Sequence, residues 1–174
     1  MIGIEENPIN TEAGRKITQD ALKKYNSYGD EWVKAYFDEL SGGYNIYHQR
    51  HNFAKKGGGG DAEKIVGKML AKYNGKRVEF LPEGNKKSPD ISFDNQTWDI
   101  KYIDNASIQT IRNYIKEARK ADNAIFYFTK ERLIDLNNAV NREVGNFAKQ
   151  NKIYQLPNIY YIDKDKIITL IWKK

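Results

Sequence analysis

Residues 88–103, SPDISFDNQTWDIKYI, narrow the possible folds of this chain more than any other stretch. Ile91 and Phe93, then Trp98, Ile100 and Tyr102, are apolar, while Asp90, Ser92, Asp94, Thr97, Asp99 and Lys101 are polar. Alternation with period two on both sides of a turn predicts a half-buried strand pair. A loop over Asn95-Gln96 sets Asp90 opposite Lys101, and a loop over Asp94-Asn95 sets it opposite Asp99. Both registers leave Asp90, Asp99 and Lys101 on one face. A slip of one residue would move Asp90 away from its partners but would also expose Trp98 and Ile100, so the apolar pattern specifies the polar constellation as well.

Two carboxylates a few ångströms apart repel unless a cation lies between them, and hard divalent cations take oxygen ligands. Lys101, two residues beyond Asp99 and roughly 6.6 Å along the strand, can orient a water or neutralise developing charge. The competing explanation is a solvated polar face on an ordinary hairpin. Upstream, residues 61–73 (DAEKIVGKMLAKY) carry Ala62, Ile65, Val66, Met69, Leu70 and Tyr73 at helical spacing, with Asp61 as a candidate N-cap. Glu63 lies at the margin of that apolar face, where its carboxylate can lean toward the core as a third acid. A favourable interaction with the helix N-terminus would equally explain it.

From residue 61 the expected order is helix (61–73), strand (77–81), hairpin (89–94 and 97–103), helix (107–120) and strand (123–128). With Glu63, Pro89-Asp90 and Asp99-Ile100-Lys101 in the motif positions, this order resembles the core of the PD-(D/E)XK nuclease superfamily. Within it, the chain resembles the C-terminal nuclease toxin domains of contact-dependent growth inhibition systems and related phage-borne toxins, several of which cut tRNA. The resemblance covers roughly residues 42–128. It rests on GGYNIYHQRHNF, the helix from Asp61, VEFLPE, the PD hairpin and DNASIQTIRNYIKEARKADNAIFYF. It implies an α/β fold with a restriction-endonuclease-like core, a mixed central sheet flanked by helices. It also implies a divalent metal, Mg²⁺ first with Mn²⁺ or Zn²⁺ as alternatives, held by Asp90, Asp99 and Glu63 directly or through water, with Lys101 completing the catalytic set. An RNA substrate, tRNA in particular, and an acidic immunity protein as partner follow from the same resemblance.

Composition sets bounds around this reading. The chain has 174 residues, 40% of them hydrophobic, enough for one domain with its own core. We expect a helical N-terminal extension ending in a strand (1–56) and a nuclease core (57–174), forming one unit. With no cysteine, disulfides and thiolate metal sites are excluded. Apolar runs such as IFYF and ITLIW are too short to span a bilayer, and the N-terminus lacks a signal pattern. The expectation is a soluble protein acting in the cytoplasm, with secretion or delivery as part of a larger toxin left open. A formal net charge of +6 favours polyanionic partners. The helix from Ser107 buries Ile108, Ile111, Ile115 and Ala118 and presents Arg112, Lys116, Arg119 and Lys120, a stripe that can hold substrate phosphates beside the hairpin or remain a solvated basic face.

The N-terminal segment reads as a helix from about Thr11 to Tyr25 and a second over Asp30–Leu40, broken by Ser41-Gly42-Gly43. A strand through GYNIYHQRHNF follows. Lys55-Lys56 and four glycines then form a hinge, which lacks the Lys-Ser/Thr of a P-loop. His48 and His51, with Arg50, support a rival: metal-free ribonuclease chemistry with a paired acid and base. Residues three apart in a strand point to opposite faces, which weighs against it, and the same residues can serve as nucleic-acid contacts. Beyond residue 130 a helix and a closing hairpin are expected, with no chemistry of their own. A DNA-directed relative of the restriction or junction-resolving type and a non-catalytic nucleic-acid-binding module stand as further alternatives.

Overall fold

A computed structural model describes residues 12–53, 59–83, 88–163, 165 and 167–174. The protein is α/β: among the described residues, four α-helices pack against one mixed sheet of eight strands. In chain order the elements are α1 (Glu12–Ser27), β1 (Trp32–Phe37), β2 (Tyr44–His48), α2 (Gly59–Asn74), β3 (Arg77–Phe80), β4 (Ile91–Phe93) and β5 (Gln96–Ile103). They continue with α3 (Ile108–Glu117), β6 (Asn123–Phe128), α4 (Leu133–Lys149), β7 (Asn158–Ile162) and β8 (Ile168–Trp172). The spatial order of strands is the chain order, β1 through β8. Pairings are antiparallel for β1–β2, β3–β4, β4–β5 and β7–β8, and parallel for β2–β3, β5–β6 and β6–β7. No helix among the described residues is long and apolar enough to cross a membrane.

Strand alternation divides the core into two layers. On one face Val78, Phe80, Ile91, Phe93, Trp98, Ile100 and Ile125 pack beneath Val66, Met69 and Leu70 of α2. On the other, Ala124, Phe126, Phe128, Ile159 and Tyr161 pack beneath Ile111 and Ile115 of α3 and Leu136, Val140 and Phe147 of α4. Ser107 caps α3, its hydroxyl accepting from Thr110 N at 3.1 Å.

Several expectations require correction. The segment Asp30–Leu40, read as a helix, is the edge strand β1, pairing from Trp32↔His48 to Phe37↔Tyr44 with an irregularity between Lys34 and Tyr36. Its apolar spacing suited either period, and the unsatisfied edge of β2 decided the outcome. Asp61 is not an N-cap: α2 starts at Gly59, so Asp61 lies in the first turn and its charge complements the helix N-terminus. Gly59 and Gly60 of the expected hinge are therefore helical, while Lys55 to Gly58 fall outside the described residues.

The tight turns are set by residues that tolerate positive φ. Asp94 (φ 54) and Asn95 (φ 59) form the two-residue hairpin loop. Of the two registers open from the sequence, this loop selects the one pairing Phe93↔Gln96, Ser92↔Thr97 and Ile91↔Trp98, which sets Asp90 opposite Asp99. At Gly43 there is no room for a side chain, since a Cβ would lie 1.8 Å from the carbonyl oxygen of Ala71 in α2.

Candidate active site

Asp90 precedes β4 and is tied into the sheet through its backbone: its N–H donates to Trp98 O at 3.0 Å, and its carbonyl accepts from Leu81 N at 2.9 Å. Its Oδ2 accepts from Ile100 N at 2.7 Å, which aims the carboxyl group along β5 toward Asp99. Asp99 is only 1% exposed, so the polar face of the hairpin is not half-buried and solvated as the alternation suggests. The end of α3 and the turn after it cover that face. From there Lys120 Nζ approaches Asp99 Oδ1 to 3.2 Å, and from β5 itself Lys101 Nζ approaches Oδ2 to 3.0 Å.

The electrostatics follow from this packing. Burial, reinforced by the charge of Asp99, a hydrogen bond to it and the charge of Glu63, pushes the Asp90 carboxyl up to about 8 against the one opposing contact from Ile100 N. At neutral pH the pair therefore holds a proton on Asp90, within hydrogen-bonding reach of Asp99. Burial works against the charge of Lys101, but Asp99, then Glu117 and Asp90, outweigh it, and the ammonium is held above its ordinary range. Glu117 Oε2 lies 3.5 Å from Lys101 Nζ, and the ammonium also stands 5.4 Å from the centroid of the Tyr114 ring.

Glu63, on the second turn of α2, is buried at 7% exposure and is near enough for its charge to act on Asp90. Of the residues singled out from the sequence, the structure thus gathers Asp90, Asp99, Lys101 and Lys120 by direct contact and Glu63 by electrostatic reach. The donor set suits a hard cation. Asp99 Oδ2 is buried and has no aligned hydrogen-bond donor among the described residues, its Lys101 contact being an ion pair only. The raised Asp90 carboxyl, pushed up first by burial and then by the charge of Asp99, shows that a second negative charge is disfavoured at the same point even with Lys101 and Lys120 beside Asp99. No group of three or more His, Asp or Glu side chains among the described residues is spaced to hold a metal ion by itself. Two carboxylates with water and phosphate oxygens can suffice for Mg²⁺.

The basic stripe divides. Arg112 turns toward α4, where its Nε makes a 2.6 Å ion pair with Glu143, itself 1% exposed. Arg112 is thus engaged in holding α3 against α4. Arg119 is exposed, its Nε donating to Lys116 O at 2.8 Å and its guanidinium lying 5.5 Å from the Phe147 ring centroid. Lys120 alone of this stripe reaches the carboxylates.

The two histidines occupy separate packing clusters. His48 sets its ring edgewise on Trp32, accepts from Arg50 N at 3.1 Å through Nδ1 and lies 3.7 Å from Glu31 through Nε2. His51 donates from Nδ1 to Leu81 O at 2.7 Å and packs on Phe53 and Phe80. Burial lowers its pKa and keeps it neutral despite the opposing pull of the Leu81 carbonyl and Glu83. Arg50 is exposed in the turn between them.

Glu117, the second partner of Lys101, escaped the sequence reading, as did Tyr154, Gln155 and Lys174, which line a recess beside Lys120. A sequence signal existed for Glu117 alone: the end of a helix linking two adjacent parallel strands returns to where those strands begin. Comparison of the chain with protein-family models, with curated proteins and with solved structures finds no match in any of the three.

Proposed function

We propose that this protein is a metal-dependent nuclease that hydrolyses phosphodiester bonds, with Asp90, Asp99 and Lys101 as its central residues. The observation that carries the reading is the meeting of the buried Asp99 and the half-buried Asp90 carboxyl groups across a two-residue hairpin, with an ammonium 3.0 Å from Asp99. Such an acidic pair is costly to maintain, and a site for a divalent cation gives it a use.

The run of elements supports assignment to a PD-(D/E)XK-like core. Helix α2 carries Glu63, β3–β4–β5 is an antiparallel meander bearing Pro89-Asp90 and Asp99-Ile100-Lys101, and α3 returns the chain to β6, parallel to β5. On this reading β1 and β2 extend the core sheet on one side and β7 and β8 on the other, which makes the sheet larger than the usual core.

Asp90 and Asp99 would hold the cation, with Glu63 contributing directly or through a water. The cation would supply polarisation of a phosphoryl oxygen and acidification of water. For Asp90 to ligate, its proton must leave, and the hydrogen bond from Ile100 N keeps the carboxylate oriented when it does. Lys101, held cationic by Asp99, offers N–H donors to the attacking water or to charge developing on phosphate. Lys120 adds a second cation on the side of Asp99 that faces α3.

On the resemblance to toxin domains, we assign RNA, tRNA in particular, as substrate and an acidic immunity protein as inhibitor. Purified protein would be incubated with total tRNA and with plasmid DNA, with EDTA and then with Mg²⁺, Mn²⁺ or Zn²⁺ restored. Cleavage of tRNA that EDTA stops and a metal restores is expected, and Asp90→Ala or Asp99→Ala should abolish it. Cleavage indifferent to EDTA, or full turnover in both variants, refutes the assignment. Preferential cutting of duplex DNA would redirect it to the restriction type. Growth arrest on expression alone, relieved by the adjacent gene product, would support the toxin and immunity assignment.

A further inference from the structure

We propose that the recess at the C-terminal end of α3 binds an unpaired segment of the nucleic acid, with its phosphates on Lys116, Arg119 and Lys174 and a base stacked on Tyr154. This rests on the nuclease reading and adds the strandedness of the substrate. The recess lies between the end of α3 and the short turns around Tyr154 and Asp122. Its two acidic residues already have partners: Asp122 Oδ2 accepts from Thr97 N at 2.9 Å and from its hydroxyl at 3.2 Å, and Glu117 faces Lys101 at 3.5 Å.

The cations are differently placed. Among the described residues neither Lys116 nor Lys174 has an ion-pair partner. The guanidinium of Arg119 is braced by the Lys116 carbonyl, by Gln155 Oε1 at 3.5 Å and by the Phe147 ring, with no carboxylate to neutralise it. A fixed cation without a counter-anion, flanked by two lysines, presents the charge pattern that a phosphate backbone neutralises. Beside them Tyr154 is 67% exposed, a large aromatic ring left in water at the rim of a basic recess. Away from duplex ends only an unpaired base can offer its face to such a ring, because inside a duplex both faces are stacked. Lys120 belongs to the wall of the recess and also stands 3.2 Å from Asp99, so a strand held there leads to the carboxylate pair.

Binding would be measured by fluorescence anisotropy in EDTA, where no cleavage intervenes, with a fluorescein-labelled single-stranded RNA 12-mer and the same sequence as a blunt duplex. The single strand should bind more tightly than the duplex. Tyr154→Ala should weaken single-strand binding on the order of 5- to 100-fold, and Tyr154→Trp should restore it. Lys116→Gln with Lys174→Gln should reduce the slope of log affinity against log salt by about 1.4, the loss of two single-strand phosphate contacts. Equal or tighter binding of the duplex, wild-type affinity in Tyr154→Ala, or an unchanged salt slope overturns the proposal. If single-strand binding behaves as expected but no metal yields cleavage, the nuclease reading falls and the binding site stands. Metal-dependent cleavage with unaltered binding in these variants has the opposite meaning.

Discussion

Replacing Asp90 by Asn should stabilise the protein at alkaline pH while destroying the proposed activity. In the folded chain the Asp90 carboxyl is pushed from 3.8 to about 8 by burial and by Asp99. In the unfolded chain it ionises at its ordinary value. Between the two values the unfolded state has lost the proton and the native state keeps it, so stability is full below the lower value and falls as pH rises through the window. Beyond about pH 8 it levels off. A displacement of about 4 units at about 1.4 kcal/mol each sets a ceiling of about 6 kcal/mol, with repacking and water entry reducing it to roughly 3–6. Asparagine cannot ionise, is nearly isosteric and retains an oxygen for the Ile100 N–H. Urea denaturation in EDTA at pH 5, 7 and 9 would compare the two proteins, so that other titrations cancel in the difference. The variant should gain on wild type by several kcal/mol between pH 5 and pH 9. Parallel stability curves would show that the Asp90 carboxyl is not raised in the folded chain, and would remove the electrostatic argument for a cation site.

Lys101→Met preserves the aliphatic stem but removes the ammonium, and should lower cleavage by on the order of 100- to 1000-fold with an unchanged far-ultraviolet circular dichroism spectrum; near-wild-type turnover would deny it a role in the reaction. Arg112→Ala leaves the buried Glu143 carboxylate without its partner and should cost about 3–5 kcal/mol in chemical denaturation. Combining Arg112→Met with Glu143→Leu should recover most of that loss, and a harmless single variant would contradict the interface described between α3 and α4. Gly43→Ala drives a methyl group into the Ala71 carbonyl. A loss of about 3 kcal/mol or more is expected, and an unshifted thermal midpoint would mean that α2 does not press on this loop.

The sequence made some levels of this structure legible and left others closed. Hairpin β4–β5 could be read because Ile91, Phe93, Trp98 and Ile100 alternate with acids that would be costly on the core face. The choice between its registers could not, because Asp94, Asn95 and Gln96 each suit a turn and only the backbone shows two positive φ angles at the first two. Strand β1 was misread since Trp32, Val33, Tyr36 and Phe37 satisfy helical spacing as well as pairing with β2. Within the site, Asp90, Asp99 and Lys101 share a hairpin and could be placed together. The burial of Asp99 could not be foreseen, because its cover comes from Lys120 and the end of α3, about twenty residues away in sequence. Arg112 and Lys120 carry the same charge in what reads as one helix, but α3 ends at Glu117 and Lys120 lies in the turn after it, and only tertiary packing sends one to Glu143 and the other to Asp99.

Every pairing in the sheet joins strands that are consecutive in the chain. No strand must be threaded between two already paired, so loop-closure entropy stays small and the topology favours rapid, sequential assembly. A chain folding from its N-terminus can add strands at one growing edge. The carboxylate pair would form as soon as β4 and β5 close over Asp94-Asn95, whereas Lys120 can dock on Asp99 only when the crossover to β6 is complete. The folding route would therefore assemble the acidic pair with Lys101 first and supply the second counterion, Lys120, afterwards.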